Sequence, residues 1–171
     1  MKQYLVIGLG RFGTSVAKTL YEAGENILGI DVSEELVQDR INNNILKNAI
    51  IGDASDGKIL KDIGAENFDI AFICIGDIEA SVMIALNLKE LGIKSIIAKA
   101  INKKHGKVLT KIGATEIVYP EEHMGKRIAE LTMNTDIIEH LKFTDNFVLV
   151  EVKAPSVFWN NLFSVGQTNG P

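Results

Sequence analysis

Residues 4–31 read YLVIGLGRFGTSVAKTLYEAGENILGID. The opening YLVI is an unbroken apolar run that stops at Gly8, the pattern of a strand buried on both faces. From Arg11 onward, Phe12, Val16, Ala17, Leu20 and Ala23 recur near helical spacing until Gly24 stops the helix. ENILGID then reads as a second strand ending on an acid, Asp31. Strand, tight turn, helix and strand follow one another with three glycines, Gly8, Gly10 and Gly13, at the turn.

Each glycine in G-x-G-x-x-G has its own physical reason. Gly8 permits the tight turn, Gly10 lets backbone approach a phosphate with no Cβ in the way, and Gly13 lets helix pack close on strand. The helix N-terminal amides then face an anion, and the helix dipole adds partial positive charge. Asp31 lies about 20 residues beyond, where a carboxylate can accept both hydroxyls of a ribose. It would repel a 2′-phosphate, and no arginine follows in DVSEE, so NADP is disfavoured. Arg11 is the unusual residue. A guanidinium there either grips an extra terminal phosphate, in its own or a neighbouring subunit, or is a solvated residue at a helix start.

Working outward, Ser33 reads as the N-cap of a helix over 34–42. Strands are expected at 48–53, 68–76, 94–100 and 114–120. Helices are expected at 57–64, 77–92, 102–113 and 121–133, the first capped by Ser55 or Asp56 and Gly106 weakening the third. Val82, Ala85, Leu86 and Leu91 are taken as the buried side of helix 77–92. Strands alternating with helices through short connections imply a Rossmann-like, doubly wound parallel sheet of about six strands, order 3-2-1-4-5-6, with helices on both faces. FVLVEVKAP (147–155) is one further strand in a short C-terminal extension. The domain division is 1–140 for the nucleotide-binding fold and 141–171 for a linker followed by a truncated second domain or a tail, with Phe158, Trp159 and Phe163 in it.

Ligands of such sheets sit at the carboxyl ends of the strands. Asp53, at the end of strand three, either accepts from an adenine amino group or makes a turn. Gly76 lets backbone pass ribose or phosphate, and Asp77 is a ligand contact or an N-cap. Lys99 ends strand five and faces either the crevice or solvent. Phe12, Val32, Ala54 and Ile75 flank these positions and complete the candidate set.

Composition narrows the function. The chain has 171 residues, 46% hydrophobic and 23% charged, with a net charge of −4 from 18 basic and 22 acidic residues. No basic block points to nucleic acid. Cys74 is the single cysteine, which excludes an intrachain disulfide framework, and its apolar surroundings read as a buried strand position. No run approaches the roughly 20 apolar residues that cross a bilayer. His105, His123 and His140 fall on late helices and read as surface residues. No H-E-x-x-H or G-x-S-x-G occurs, and the nucleotide fold leaves little chain for a substrate region. Binding without turnover is favoured. The rivals are a small NAD-dependent oxidoreductase, or a fragment of one, and a redox-sensing repressor that lacks its basic winged helix.

The strings YLVIGLGRFGTSVAKTL, IDVSEELV, IGDASD, AFICIGD, IIAKAINKKHGKVLTKIGATEIVYPE and GKRIAELT together resemble the RCK-N (KTN) domain. That domain belongs to the cytosolic regulatory subunits of Trk/Ktr-type bacterial potassium uptake systems. The resemblance covers residues 1–140, and FVLVEVKAP resembles the start of an RCK-C domain. It implies a non-catalytic subunit that senses ATP, ADP or NAD(H), built as homodimers in a ring, an octamer in the usual case. It implies an integral-membrane potassium-translocating partner and a cytoplasmic place, peripheral on the inner face of the membrane. Arg11 then matches the residue that contacts ATP phosphates across the dimer, and Asp31 matches the ribose acid. Glu121 matches a glutamate that can hold a divalent cation, although EEH is also an ordinary acidic helix start.

Overall fold

Strand β1 (Gln3–Ile7) carries apolar side chains to both faces of a sheet: Tyr4 and Val6 join one buried cluster, Leu5 and Ile7 the other. Such a strand needs covered neighbours on both sides, and it lies in the middle. The computed structural model describes residues 2–133 and the backbone of the strands at 137–144 and 147–152. After β1 come α1 (Arg11–Glu22), β2 (Asn26–Asp31), α2 (Glu34–Asn42), β3 (Ala49–Ile51) and α3 (Gly57–Asp62). A 3-10 turn at Ala65–Asn67 precedes β4 (Ile70–Ile73), α4 (Ile78–Glu90), β5 (Ser95–Lys99), α5 (Lys103–Ile112), β6 (Glu116–Val118) and α6 (Pro120–Met133). Strands β7 (Ile137–Thr144) and β8 (Phe147–Val152) close the description.

The six-stranded sheet has the order β3-β2-β1-β4-β5-β6, with every neighbouring pair parallel. The chain winds outward from β1 through β2 to β3, then crosses back to β4 on the other side. Connections above β1 and β4 therefore leave in opposite directions and open a crevice at their carboxyl ends. One face of the sheet is closed over Leu5, Ile7, Ile73 and Ile96 by α3, α4 and α5 residues such as Leu60, Leu88 and Leu109. The other is closed over Tyr4 and Val6 by α1 and α2 residues such as Ala17 and Val37.

Helix starts follow their caps. The Ser33 hydroxyl accepts from the Leu36 amide at 3.2 Å, Asp56 from Lys58 at 3.0 Å, Asp77 from Ala80 at 2.8 Å and Asn102 from His105 at 2.9 Å. So Asp56, not Ser55, caps α3.

Two sequence readings change. The buried side of α4 is Ser81, Ile84, Ala85 and Leu88, with Val82 and Leu91 half-buried at its flanks and Leu86 exposed. The polar Ser81 had hidden this face. It is buried because it meets His105, which is itself buried on α5 rather than solvated. The His105 Nε2 lies 2.8 Å from the Ser81 oxygen, the Ile101 amide donates to Nδ1 at 3.4 Å, and the Ser81 hydroxyl donates to the Ile78 carbonyl at 2.9 Å. This network assigns the neutral imidazole with its proton on Nε2. Gly106, far from weakening α5, is buried beside the Tyr119 hydroxyl.

The chain divides into two units, Met1–Pro120 and Glu121–Pro171. In the second, β7 and β8 pair antiparallel, with Thr144 opposite Phe147. The anticipated late strand is β8. Strand β7 was not anticipated, and it carries His140, which is therefore not helical. Register shifts between Ile137 and Glu139 and between Lys142 and Thr144 break the two-residue period that reveals a strand. Residues 153–171, with Phe158, Trp159 and Phe163, lie outside the described residues.

Burial pushes the His105 pKa below the usual imidazole value. The unfolded chain binds a proton that the folded one resists, so this contribution to stability is whole above about pH 6.5 and is lost as pH falls from there toward the folded pKa. Urea melts between about pH 7 and pH 5 are expected to show this decline, and His105→Gln is expected to flatten it. Ser81→Ala, which orphans the buried Nε2–H, is expected to lose about 1–3 kcal/mol.

Candidate functional site

The turn between β1 and α1 is built by close approach. Gly8 has φ +93°, and a Cβ there would stand 2.7 Å from the Ile75 side chain. A Cβ on Gly13 would stand 1.8 Å from the Gly8 carbonyl oxygen. Helix α1 thus begins directly above the end of β1. Its N-cap is Gly10, no side chain caps it and no acid lies in its first turn. Helices α2, α3, α4 and α5 each have a side-chain cap, so α1 is the one of these five whose first amides are left open.

Gly10, the N-cap residue of α1, borders a cleft of about 360 Å3. Of the residues singled out in the sequence, Gly8, Gly10, Asp31, Val32, Asp53, Ala54, Ile75, Gly76 and Asp77 line it together. Leu36, Gly52, Cys74, Ala80 and Ile84 also line it and were not singled out as site residues. A Cβ on Gly52 would stand 1.9 Å from the Ile59 side chain, a close approach that appears only in the folded chain.

Arg11, Phe12, Gly13 and Lys99 do not line the cleft. Arg11 is exposed at the first position of α1 and makes no hydrogen bond or ion pair among the described residues. Phe12 packs half-buried against the α1–α2 core, and Gly13 is the contact between helix and strand. Lys99 is half-buried at the end of β5, where its charge reaches Cys74. Glu121 lies in the second unit, exposed in the first turn of α6 beside Glu122.

The polar groups of the cleft are already engaged. Asp31 accepts from the Leu9 amide through Oδ2 at 2.6 Å and from the Ser33 amide through Oδ1 at 2.8 Å. It therefore ties the glycine turn to the start of α2, and each oxygen keeps further lone pairs toward the cleft. Asp53 Oδ1 accepts from the Ser55 hydroxyl at 2.6 Å and the Ser55 amide at 2.9 Å, and these bonds hold its carboxyl below the ordinary value. Asp77 is the α4 cap. Burial pushes the Cys74 thiol up to about 12, against the opposing charge of Lys99, so it stays a thiol at neutral pH. Val32 is 68% exposed, an apolar surface on the rim with no protein cover. The arrangement offers backbone donors for an anion, a carboxylate beside them and an apolar surface for a flat base.

Known proteins resemble this chain in sequence and in fold. A family model described as the TrkA-N domain matches residues 4–120. Ktr system potassium uptake protein C of Bacillus subtilis (strain 168) is 43% identical over 156 residues, which cover 91% of this chain and 70% of that protein. Ktr system potassium uptake protein A of the same organism is 39% identical over 154 residues, 90% of this chain and 68% of that protein. Among solved structures, the TrkA-N domain of inner membrane protein ybaL from Escherichia coli superposes with a TM-score of 0.67 at 21% identity, over 76% of this chain and 95% of that one. The Shewanella denitrificans Kef CTD in its AMP-bound form superposes at 0.63 with 24% identity, over 77% and 80%. The GsuK channel bound to NAD superposes at 0.66 with 14% identity, over 84% of this chain and 26% of that one. At these identities the solved structures share the fold.

The glycines separate fold from site. Gly13→Ala forces helix from strand and is expected to cost about 1–3 kcal/mol in thermal unfolding. Gly10 has φ −66°, and a Cβ there meets nothing within 4 Å. Gly10→Ala is expected to melt with the native protein while placing a methyl group where a phosphate would approach, so calorimetry with ADP should show binding lost in an intact fold.

Proposed function

The chain belongs to the TrkA-N domain family, and from that premise we propose that it is a nucleotide-sensing regulatory subunit of a potassium uptake system that works without catalysis. The cleft takes an adenine nucleotide, ATP or ADP, or NAD(H). The carrying observation is that Gly10, the uncapped start of α1, and Asp31 line one cleft. Phosphate meets the amides, the ribose diol meets the free lone pairs of Asp31, and the base lies against Val32 near Asp53. The names of the relatives supply potassium uptake, and AMP and NAD in neighbours of the same fold support a nucleotide here.

The absence of turnover has its own support. The titratable groups lining the cleft are Asp31, Asp53, Asp77 and Cys74. The three carboxylates hold backbone amides, and the thiol titrates far above neutral pH. Among the described residues, no histidine, lysine or tyrosine lines the cleft to serve as acid or base beside a nicotinamide.

Gating follows from assembly in this reading. Homodimers form a ring, an octamer, on the inner face of the membrane against a potassium-translocating subunit, and bound nucleotide changes the dimer angle. No helix among the described residues is long and apolar enough to cross a membrane. In this reading residues 1–140 are the nucleotide domain and 141–171 a linker with the start of a further domain or a tail, whereas the compact units divide between Pro120 and Glu121. Arg11, exposed on α1, reaches the terminal phosphate of a nucleotide in a neighbouring subunit. A divalent cation at Glu121 needs ligands from a second subunit or the nucleotide, because no cluster of three metal-ligating side chains forms among the described residues.

Thermal shift with ATP, ADP, NAD and NADH is expected to show saturable stabilisation by at least one of them, following RT ln(1 + [L]/Kd). Stabilisation by none, in folded protein, would sink the reading, as would NADH oxidation with a common metabolite. For Arg11, the ratio of ATP to ADP affinity is the measurement. Losing one charge-assisted contact of about 1.5–3 kcal/mol lowers ATP affinity by roughly ten- to a hundredfold and leaves ADP little changed. An unchanged ratio in Arg11→Ala removes Arg11 from the mechanism.

A further inference from the structure

Leu9 sits between two residues that have no side chain to steer them, yet it is held on three sides. Its side chain is fully buried and packs over Gly29, where a Cβ would meet it at 3.1 Å. Its amide donates to Asp31 Oδ2 at 2.6 Å. Its carbonyl accepts from the Thr14 hydroxyl at 2.6 Å, and that hydroxyl accepts in turn from the Arg40 Nε at 2.8 Å. Arg40 comes from the last turn of α2, and its NH1 pairs with the neighbouring Asp39. Its side chain is 17% exposed. Neither Thr14 nor Arg40 lines the cleft.

We propose that Thr14 and Arg40 are positioning residues for the phosphate-binding turn, setting nucleotide affinity through the Leu9 carbonyl without touching the ligand. The proposal rests on reading the cleft as a nucleotide site. The mechanism is peptide geometry. The Leu9 carbonyl and the Gly10 N–H belong to one planar trans unit and point in opposite directions. Drawing the carbonyl toward Thr14 turns that N–H the other way. The Gly10 N–H makes no hydrogen bond among the described residues, and Gly10 borders the cleft. A donor already aimed in the free protein spends no binding energy on being ordered. Arginine suits the outer place because its fork gives one N–H to Thr14 and another to Asp39, which a single ammonium point charge does not reproduce in the same plane. The hydroxyl gives one hydrogen bond and receives another, so each polarises the other.

The test uses the whole chain with ADP as the probe. Calorimetry compares the native protein with Thr14→Val, Thr14→Ser, Arg40→Met and the Thr14→Val/Arg40→Met pair. Thr14→Val is expected to bind about tenfold more weakly, and Arg40→Met more weakly by a smaller factor. Thr14→Ser should restore native affinity, and the double variant should bind no more weakly than Thr14→Val, since the relay is already cut. Native affinity in Thr14→Val, or losses that multiply in the double variant, overturns the proposal. Amide exchange in the ligand-free protein gives a readout independent of ADP. The Leu9 amide should exchange faster in Thr14→Val while the β1 amides keep their protection. If the native protein binds none of ADP, ATP, NAD and NADH, the nucleotide reading fails; unchanged Leu9 exchange in Thr14→Val overturns the positioning claim by itself.

Discussion

Helix α1 stands so close to the end of β1 that only a hydrogen atom fits between residue 13 and the Gly8 carbonyl. Much else follows from that contact. The helix starts at Gly10, which borders the cleft and brings no capping side chain. Its first amides stay without side-chain partners, whereas the four helices that follow it are all capped. An open helix start carries a fraction of a positive charge and a set of unused donors. Placed where strand order reverses, it faces a cleft instead of bulk water. The fold leaves the start of α1 unfinished, and in the proposed reading an anion completes it.

Asp31 shows how such a site is kept rigid. A carboxylate at the end of β2 might have been reserved for ligand alone. Instead its two oxygens hold the Leu9 and Ser33 amides, so the glycine turn and the start of α2 share one anchor. Charge-assisted bonds of this kind are short and strong, and they leave lone pairs for a sugar hydroxyl. The acid therefore serves the protein first, and the nucleotide contact proposed for it comes second. An alanine at this position would lose the proposed ribose contact and loosen two elements at once, so its effect on affinity would overstate that contact alone.

The architecture was readable because its signals are local and redundant. The run before Gly8, the periodicity of α1 and the Ser33 cap each point to one structure, and strand order follows from the handedness of crossovers. Most of the cleft was readable for the same reason, since strand ends in a parallel sheet share one edge. What escaped is pairwise and polar. Ser81 and His105 look like surface residues singly, and burial makes sense only when they meet across two helices. Arg40 looks like an ordinary basic residue in a last helical turn until Thr14 is found beside it. Cys74, Leu36 and Ile84 entered the cleft from strands and helices already assigned to the core. Strand β7 was hidden by its bulges. Periodicity reports one side chain's relation to its own element; these features depend on a partner far away in the chain.

If the cleft senses nucleotide, its binding energy must be converted into a change of shape, and the size of one contact limits how. A ligand shifts an equilibrium only by its differential affinity for the two forms. Moving a subunit from one part in a hundred to ninety-nine needs a preference of about 10^4. One phosphate gripped by one arginine supplies roughly ten- to a hundredfold, the equivalent of about 1.5–3 kcal/mol. A lone subunit reading the third phosphate of ATP through Arg11 would therefore switch incompletely. Where several subunits change shape together, their preferences multiply, and two to four such contacts reach the required factor. The weakness of the single contact, not its strength, is the physical reason a sensor of this kind would work as an assembly.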